Sequence, residues 1–399
     1  MVGTGNLYSD KSSAGWSTNR ERRAASHPSP PPLLRELAAE AGIRFNGSQP
    51  WDIQVSHPAV YRSILTRGSL GFGESFMEGL WNSQQLDETI SRLLNMNVEL
   101  KVNRRTRLRW ISALLKSLLL NRQSQKHAFE VGERHYDIGN DVYSAMLDSS
   151  MSYSCGYWKT ATTLEQAQRD KLDLICRKLS LHPGQRLLDI GSGWGGLAKH
   201  AAEHYGVEVE GITISREQLK LAEERCKGLP VRFRLMDYRD LEGRYDRVVS
   251  VGMFEHVGPK NYPAYFETVD RVLDDQGIFL LHTIGESTDT RTTDPWIDKY
   301  IFPNGVIPSM SRLIEPLPEG LILEDWHNFG QDYDRTLMAW WQNFDAAWPE
   351  LSKHYDERFY RMWKYYLHSC AGYFRSRRGL LWQLVFTRPL HRDTYRSLR

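Results

Sequence analysis

The stretch Leu187-Leu-Asp-Ile-Gly-Ser-Gly-Trp-Gly195 decides the fold of this chain. It has the pattern of an apolar strand that ends in an acidic residue and runs into a glycine-rich turn opening a helix. The spacing Gly191-x-Gly193-x-Gly195 departs from the dinucleotide-binding pattern. Glycines here let the backbone pass close to a ligand, although a turn of this kind also serves simply to join strand to helix.

Outward from this turn, strands and helices alternate. Helical stretches such as 197–205 and 216–227 separate the strand candidates, which are 186–190, 207–214, 231–236, 246–251 and 277–283. Alternating units of this kind predict an α/β fold with a mostly parallel, doubly wound, Rossmann-like sheet. Such sheets bind ligands at the carboxyl ends of their strands, so we expect function to lie on the loops there.

The residues that follow successive strands suit a nucleoside with an amino acid tail, which is the shape of S-adenosylmethionine. Asp189 ends the first strand, and the second ends in Gly211-Ile-Thr213, without the acid that usually holds a ribose. Gln218, one helical turn further, is the best substitute partner for the hydroxyls, and Asp237-Tyr238 suits an adenine edge and face. Each residue alone is equally well explained as a turn or cap residue, but their order favours the cofactor.

Composition places the chain among ordinary globular proteins. Its 399 residues include 51 Lys plus Arg against 49 Asp plus Glu, a net charge of +2, and 41% are hydrophobic. These values exclude collagen, a disordered tail and an integral membrane protein, and the length allows two or three domains. The four cysteines are widely spread and contain no CxxC pair, so we expect reduced thiols in a cytoplasmic protein and no metal site.

Three regions are predicted along the chain: a leader over 1–31, a small, mostly helical and membrane-associated domain over 32–121, and a catalytic domain over 122–399. Residues 101–134 hold nine basic and two acidic residues, with apolar residues at helical spacing. Two interpretations of this basic amphipathic helix are open. It is either a connecting helix with a solvated basic face or a helix that adheres to anionic lipid headgroups. No pattern favours nucleic acid.

Five motifs give the chain a wider resemblance. Together they resemble cyclopropane-fatty-acyl-phospholipid synthases over nearly the whole chain except about the first 30 residues. The motifs are His135-Tyr-Asp-Ile-Gly-Asn-Asp-Val-Tyr143, Met151-Ser-Tyr-Ser-Cys-Gly-Tyr-Trp158, Ser250-Val-Gly-Met-Phe-Glu-His-Val-Gly258, Leu281-His-Thr-Ile-Gly285 and Tyr366-Leu-His-Ser-Cys-Ala-Gly-Tyr-Phe-Arg375.

The resemblance implies transfer of a methylene from S-adenosylmethionine to a cis double bond in an acyl chain of a membrane phospholipid. It also implies a peripheral, cytoplasmic protein at an anionic membrane surface, and a homodimer. The expected cofactor-binding residues are Tyr136, Tyr153, Ser154, Asp189, Gly191, Gly193, Trp194, Gly195, Thr213, Ser215, Gln218, Asp237 and Tyr238.

By resemblance, the carbocation left after methyl transfer loses a proton to a bound bicarbonate, and Cys370 is a reactive thiol of the family. Glu255 is expected to orient His282 or to receive the proton. Each of these residues, taken singly, also has a purely structural explanation, as a buried, packed or solvated side chain. The groups that match the bicarbonate ligands are Cys155, Glu255, His282, Tyr333 and the backbone of Ile284.

Two alternatives remain open. A C-methyltransferase of the same fold would leave a methyl branch, and a non-catalytic lipid-binding sensor would use the basic helix and a C-terminal arginine cluster. The aromatic residues over 340–374 would line an acyl tunnel or pack helices onto the sheet. The arginine cluster comprises Arg375, Arg377, Arg378, Arg388, Arg392, Arg396 and Arg399.

Overall fold

A computed structural model describes residues 29–96, 139–289 and 293–399. Most of the leader, the basic amphipathic helix and the boundary expected near residue 121 lie outside the described residues. None of the described helices is both long and apolar enough to cross a membrane.

The amino-terminal region is a small helical unit. It contains α1 (Pro32–Glu40), α2 (Ala59–Met77) and α3 (Leu86–Leu94), with a short antiparallel pair of strands, β1 (Gln54–Val55) and β2 (Trp81–Asn82). Pro32 opens α1, where its missing N–H costs nothing. Gly68 kinks α2, because its φ of 59° and ψ of −133° are not helical.

A seven-stranded sheet forms the centre of the rest of the chain, in the order β5-β4-β3-β6-β7-β9-β8. Six strands run in one direction and β9 alone runs against them. The five strands predicted from sequence are β3 to β7; the sequence pattern does not predict β8 and β9. The strands are β3 (Arg186–Ile190), β4 (Glu208–Thr213), β5 (Val231–Leu235), β6 (Tyr245–Val251), β7 (Leu273–Glu286), β8 (Ile322–Asn328) and β9 (Gly379–Thr387).

Helices cover both faces of this sheet. Neighbouring residues in a strand therefore bury their side chains in two different apolar cores, one on each face. Val248 and Phe279 belong to the core under the helix Tyr262–Val272. Val249 and Leu280 belong to the core under the helices Leu164–Lys178 and Gly196–Tyr205. The described helices after residue 138 are α4 (Asn140–Met146), α5 (Leu164–Lys178), α6 (Gly196–Tyr205), α7 (Arg216–Arg225), α8 (Tyr262–Val272), α9 (Pro295–Tyr300), α10 (Met310–Ile314), α11 (Gln331–Leu351) and α12 (Glu357–Arg375).

The amino-terminal helices dock on α12. A Cβ atom at Gly372 would lie 2.6 Å from the carbonyl oxygen of Asp87, so only glycine lets α3 approach this closely. Beside this contact Arg375 pairs with Asp87 at 2.6 Å and with Asp334 at 2.9 Å. One apolar core therefore continues from the amino-terminal helices into the catalytic unit.

Candidate active site

A large cavity joins the predicted cofactor turn to the amino-terminal helices. Its volume is about 2520 Å³. The carboxyl ends of β3, β4, β6 and β7 form one end, where the strand order reverses at β3, and α1, α2 and α3 contribute apolar residues to the other. This is the place where an open α/β sheet binds ligands.

The glycine turn after β3 is shaped for close backbone approach. Gly191, Gly193 and Gly195 all have positive φ, at 86°, 54° and 80°. A Cβ atom at Gly193 would meet no protein atom within 4 Å, because this position faces the cavity, whereas one at Gly195 would lie 2.9 Å from the ring of Phe233. Gly193 thus leaves room for a ligand, and Gly195 leaves room for the packing of β5.

Asp189 has a buried carboxylate oxygen with no protein partner. The residue is 2% exposed and lines the cavity, and its Oδ2 accepts no hydrogen bond within the described chain. Burial raises the pKa of Asp189 to about 7, against the opposing effect of the nearby Lys171. A cation placed against this oxygen would satisfy it, which fits the ammonium or sulfonium groups of S-adenosylmethionine.

The predicted ribose partners form a small hydrogen-bonded group at the end of β4. Thr213 Oγ1 donates to Gln218 Oε1 at 2.8 Å, which leaves the amide nitrogen of Gln218 as the group to donate to a ligand. Ser215 caps α7 by accepting from Gln218 N at 3.3 Å. Thr213 and Gln218 line the cavity, and Ser215 is not among its lining residues.

Asp237 and Tyr238 follow β5 at the cavity wall. The Asp237 carboxylate accepts the backbone N–H of Arg239 at 3.0 Å, and burial raises its pKa. Tyr238 is buried and its hydroxyl has no protein partner in the described residues. Both line the cavity, as the adenine-binding role requires.

The remaining predicted cofactor residues are Trp194, within the glycine turn itself, and residues of the segment around 153. Tyr153 and Tyr366 share a hydroxyl hydrogen bond at 2.7 Å, Ser154 Oγ accepts from Lys171 Nζ at 2.8 Å, and Trp194 Nε1 donates to Asn140 at 3.2 Å. Tyr153, Ser154 and Trp194 line the cavity. Tyr136 lies outside the described residues.

Glu255 faces the backbone of β7. Its Oε1 accepts the N–H of Ile284 at 2.6 Å, so the amide expected to serve a bicarbonate is engaged by the carboxylate. Its Oε2 is buried without a protein partner in the described residues. Burial raises the pKa of Glu255, which favours the protonated form that can donate a hydrogen bond.

His282 is oriented by Gln383, and in the part of the chain that the structure describes no hydrogen bond joins it to Glu255. Gln383 lies directly opposite His282 in the β7–β9 register, and its amide nitrogen lies 3.2 Å from His282 Nδ1. With the amide nitrogen as donor, Nδ1 is the acceptor and Nε2 carries the proton. Burial lowers the pKa of His282 well below its usual range, and Nε2 has no partner among the described residues.

Cys155 lies behind the cavity wall. Its Sγ is 3.2 Å from the carbonyl oxygen of Gly156 and 3.7 Å from the hydroxyl of Thr336, which also accepts the N–H of Gly156 at 3.1 Å. The residue is fully buried, and burial raises the pKa of the thiol well above its usual range. The thiol is therefore protonated and available as a donor.

Tyr333 and Cys370 line the cavity from α11 and α12. Tyr333 stacks on Phe374 with ring centroids 4.4 Å apart. Burial, reinforced by the charge of Asp294, raises the pKa of the Cys370 thiol to about 12. The neighbouring Arg375 is paired with carboxylates, and no cation of the described residues lowers the pKa of this thiol.

The structure brings the expected anion ligands together in two layers. Glu255, Ile284 and Tyr333 line the cavity, together with Cys370, whereas Cys155 and His282 lie in a deeper layer. Burial and then the electrostatic influence of Cys155, Glu255 and Cys370 raise the pKa of Tyr333 well above its usual range.

Sequence reasoning missed Lys171, Thr336 and Gln383. Lys171 is almost fully buried on α5 beside Ser154 and Asp189, and a lysine on the apolar face of a predicted helix is a signal that could have found it. Thr336 and Gln383 contact site residues through tertiary structure, and neither carries a local signal.

The aromatic residues over 340–374 mostly pack. Trp340, Phe344 and Trp363 are buried in the core, whereas Tyr365, Tyr366, Tyr373 and Phe374 line the cavity. The first part of this aromatic stretch therefore packs helices together, and its last part borders the cavity.

Comparison with known proteins places these features in a family. The profile of the mycolic acid cyclopropane synthetase family matches residues 123–384. Cyclopropane-fatty-acyl-phospholipid synthase of Escherichia coli (strain K12) is 54% identical over 358 residues, which is 89% of this chain and 93% of that protein.

Solved structures agree with the sequence relatives. The cyclopropane synthase MmaA2 from Mycobacterium tuberculosis has a TM-score of 0.61 and 31% identity, covering 65% of this chain and 97% of its own. Mycolic acid cyclopropane synthase CmaA1, complexed with SAH and CTAB, has a TM-score of 0.59 and 31% identity over the same shares.

Proposed function

This chain belongs to the mycolic acid cyclopropane synthetase family, and on that premise we propose that it is a cyclopropane-fatty-acyl-phospholipid synthase. It is an S-adenosylmethionine-dependent methyltransferase. In the proposed reaction a methylene is added across a cis double bond of a phospholipid acyl chain, and the products are a cyclopropane ring, S-adenosylhomocysteine and a proton. The observation that carries the proposal is the single cavity that joins the glycine turn, Glu255, Tyr333 and the apolar amino-terminal helices.

Positioning is the main task of this site, because an alkene is a feeble nucleophile. Alignment of two bound reactants can supply about 7 to 11 kcal/mol of the barrier. The turn at Gly193 would place the cofactor at one wall, while Tyr333, Tyr366 and Phe374 would hold the acyl chain beside it. S-adenosylmethionine supplies an electrophilic methyl group when bound. The rings facing the chain would stabilise developing positive charge through cation–π attraction, by about 0.5 to 2 kcal/mol.

We propose that bicarbonate accepts the proton released on ring closure. Two buried polar atoms support this assignment, the Nε2–H of His282 and the Oε2 of Glu255, because neither has a hydrogen-bond partner among the residues that the structure describes. The Tyr333 hydroxyl is protonated, because burial raises its pKa, so it can donate to an anion. Burial likewise keeps the Cys155 thiol protonated, and this thiol would donate to an anion by turning its S–H away from the carbonyl oxygen of Gly156. A side-chain carboxylate as base could itself collapse onto the cation, whereas a small exchangeable anion can leave.

We also propose that the chain works as a homodimer at the cytoplasmic face of an anionic membrane, with an amino-terminal lipid-associated domain before about residue 122. Resemblance to the family and the local excess of basic residues over 101–134 support these statements. Sedimentation equilibrium and flotation with vesicles test them, and a monomer that stays unbound to anionic vesicles would contradict both.

The decisive assay mixes purified protein with S-adenosylmethionine and vesicles of cis-unsaturated phospholipid. We expect the acyl double bond to be lost and the chain to gain one CH2 by mass spectrometry. Removal of dissolved carbon dioxide and bicarbonate should slow the reaction, and added bicarbonate should restore it. Absence of product in bicarbonate buffer would refute the proposed reaction, and equal rates in depleted buffer would refute the base.

The same assay separates the two alternatives. A reduced methyl-branched chain is two hydrogens heavier than the cyclopropane, so product mass identifies a C-methyltransferase. A non-catalytic lipid sensor would bind vesicles and yield no product.

A further inference from the structure

The arginines of the C-terminal cluster have different surroundings in the folded chain. Three of its arginines are held in ion pairs: Arg375 with Asp87 and Asp334, Arg388 with Asp270, and Arg399 with Asp325. Arg392 and Arg396 are exposed on the C-terminal segment that follows β9. Only Arg377 and Arg378 of this cluster line the cavity.

These two arginines occupy the short connection between α12 and β9. Both are exposed, and Arg377 has a φ of 61°, the left-handed conformation that is uncommon outside glycine. The guanidinium of Arg377 makes no ion pair with any residue the structure describes. Arg378 Nε donates to the carbonyl oxygen of Leu94 at 2.6 Å, which leaves its two terminal nitrogens to other partners.

Apolar side chains line the same cavity as these two arginines. Leu33 and Leu65 line the same cavity and are 43% and 51% exposed, which is unusual for leucine, and Leu94 lies at the Arg378 contact. Next to these arginines along the chain, α12 carries Phe374 and Cys370, four residues apart on the helix, to the cavity wall. Positive charge and apolar surface in one cavity fit a molecule with an anionic head and a hydrocarbon tail.

We propose that Arg377 and Arg378 form the binding subsite for the phosphodiester of a phospholipid headgroup, from which the acyl chain descends along α12 to Tyr333. This inference rests on the proposed function, since it assigns where that substrate enters. Planar guanidinium groups match phosphate oxygens in a bidentate geometry, so arginine suits this role better than lysine. The paired arginines of the cluster have no part in it.

Calorimetric titration with a soluble short-chain lipid, dihexanoyl phosphatidylglycerol below its micelle concentration, tests the subsite without any turnover. R377E changes a side chain that has no ion pair to lose, and R378Q removes the second charge. We expect each variant to bind this lipid about fivefold or more weakly than wild type, since a basic residue near a phosphate contributes about 1 kcal/mol. The matched control, R392E/R396E, reverses two exposed charges away from the cavity and should bind within twofold of wild type.

Two further ligands show whether the site binds the phosphate of a lipid or free phosphate. Dihexanoylglycerol, which lacks the phosphate, should bind wild type as weakly as the phospholipid binds R377E, and inorganic phosphate should compete poorly. Equal phospholipid affinity of R377E, R378Q and wild type would overturn the subsite, as would equal affinity of wild type for dihexanoylglycerol. Displacement by inorganic phosphate at the same affinity as the lipid would identify a free-phosphate site and overturn the lipid assignment.

The outcome is independent of catalysis. Melting temperature and affinity for S-adenosylhomocysteine, measured on every variant, establish that the fold and the cofactor end of the cavity are intact. If wild type binds the phospholipid through Arg377 but makes no cyclopropane product, the proposed reaction fails and the subsite stands.

Discussion

At the scale of single residues, burial without a hydrogen-bond partner decides how Asp189 behaves. Its carboxylate is removed from water and only Lys171 opposes the resulting rise in pKa to about 7. A cationic ligand would stabilise the charged carboxylate and lower that pKa again. Ligand binding and deprotonation of Asp189 are then thermodynamically linked.

The affinity for S-adenosylmethionine should therefore depend on pH. Below the pKa of about 7 a proton must leave Asp189 on binding, so affinity should fall as the pH is lowered from about 8 to about 5.5. Calorimetry in buffers of different ionisation enthalpy measures the released proton. D189N should bind more weakly at pH 8 and lose most of this pH dependence; an unchanged profile in D189N would show that another group titrates.

Gln383 acts on the site through another residue. It is fully buried, and its amide nitrogen contacts Nδ1 of His282, so it fixes the tautomer that places a proton on Nε2. Q383L replaces the amide by an apolar side chain of similar size and so removes this contact.

We expect Q383L to reduce kcat about tenfold, which corresponds to the loss of one buried hydrogen bond of about 1.4 kcal/mol. KM for S-adenosylmethionine should stay within twofold, because Gln383 does not line the cavity. Q383E, which can accept from Nδ1–H, should shift the pH profile of kcat by favouring the charged imidazole. Wild-type kcat and pH profile in both variants would exclude a positioning role.

At the scale of elements, Gly193 and Gly195 in the turn after β3 are only two residues apart but serve different purposes. All three glycines need positive φ, where a Cβ atom costs about 1 kcal/mol. Gly193 faces empty cavity, whereas Gly195 faces Phe233 and Ala222, which belong to the core on one side of the sheet.

A matched pair of alanine variants should separate ligand approach from packing. G193A should lose about 1 kcal/mol of unfolding free energy but at least tenfold in affinity for S-adenosylhomocysteine, since its methyl group would occupy ligand space. G195A should lose about 2 to 3 kcal/mol, because its Cβ would overlap Phe233 at 2.9 Å. Urea unfolding and calorimetry measure the two effects, and the reverse order would contradict the assignment.

At the scale of the whole molecule, the cavity depends on the docking of the amino-terminal helices against α12. Arg375 holds this junction, since it pairs with Asp87 from α3 and Asp334 from α11, with Glu88 further away at 3.5 Å. The apolar contacts continue through Gly73, where a Cβ atom would lie 2.5 Å from Trp296.

R375A should lower the unfolding free energy by about 1 to 3 kcal/mol, because partly buried carboxylates lose their common partner. It should also reduce activity on vesicles more than binding of S-adenosylhomocysteine, since the junction shapes the acyl end of the cavity. R392A, an exposed arginine without an ion pair among the described residues, is the control. Equal stability of R375A and R392A in urea unfolding would show that the apolar contacts alone hold the junction.

Local patterns predict the main chain well. Apolar runs and the glycine turn predict β3 at 186–190 as observed, and the predicted helical stretches 197–205 and 216–227 match α6 and α7 to within two residues. Local patterns do not predict β8 and β9, because β9 pairs with β7 over about a hundred residues of separation and with β8 over about sixty.

What the sequence determined by itself was the order of strands and helices, the glycine turn and the chemical types of the site residues, since these follow from periodicity and from motifs that are local in the chain. Tertiary structure alone decided which polar atoms lack partners, that Gln383 faces His282, and that Arg375 is neutralised while Arg377 and Arg378 border the cavity. The physical reason is that solvation and charge pairing depend on which distant segments pack together, and no short stretch of sequence contains that information.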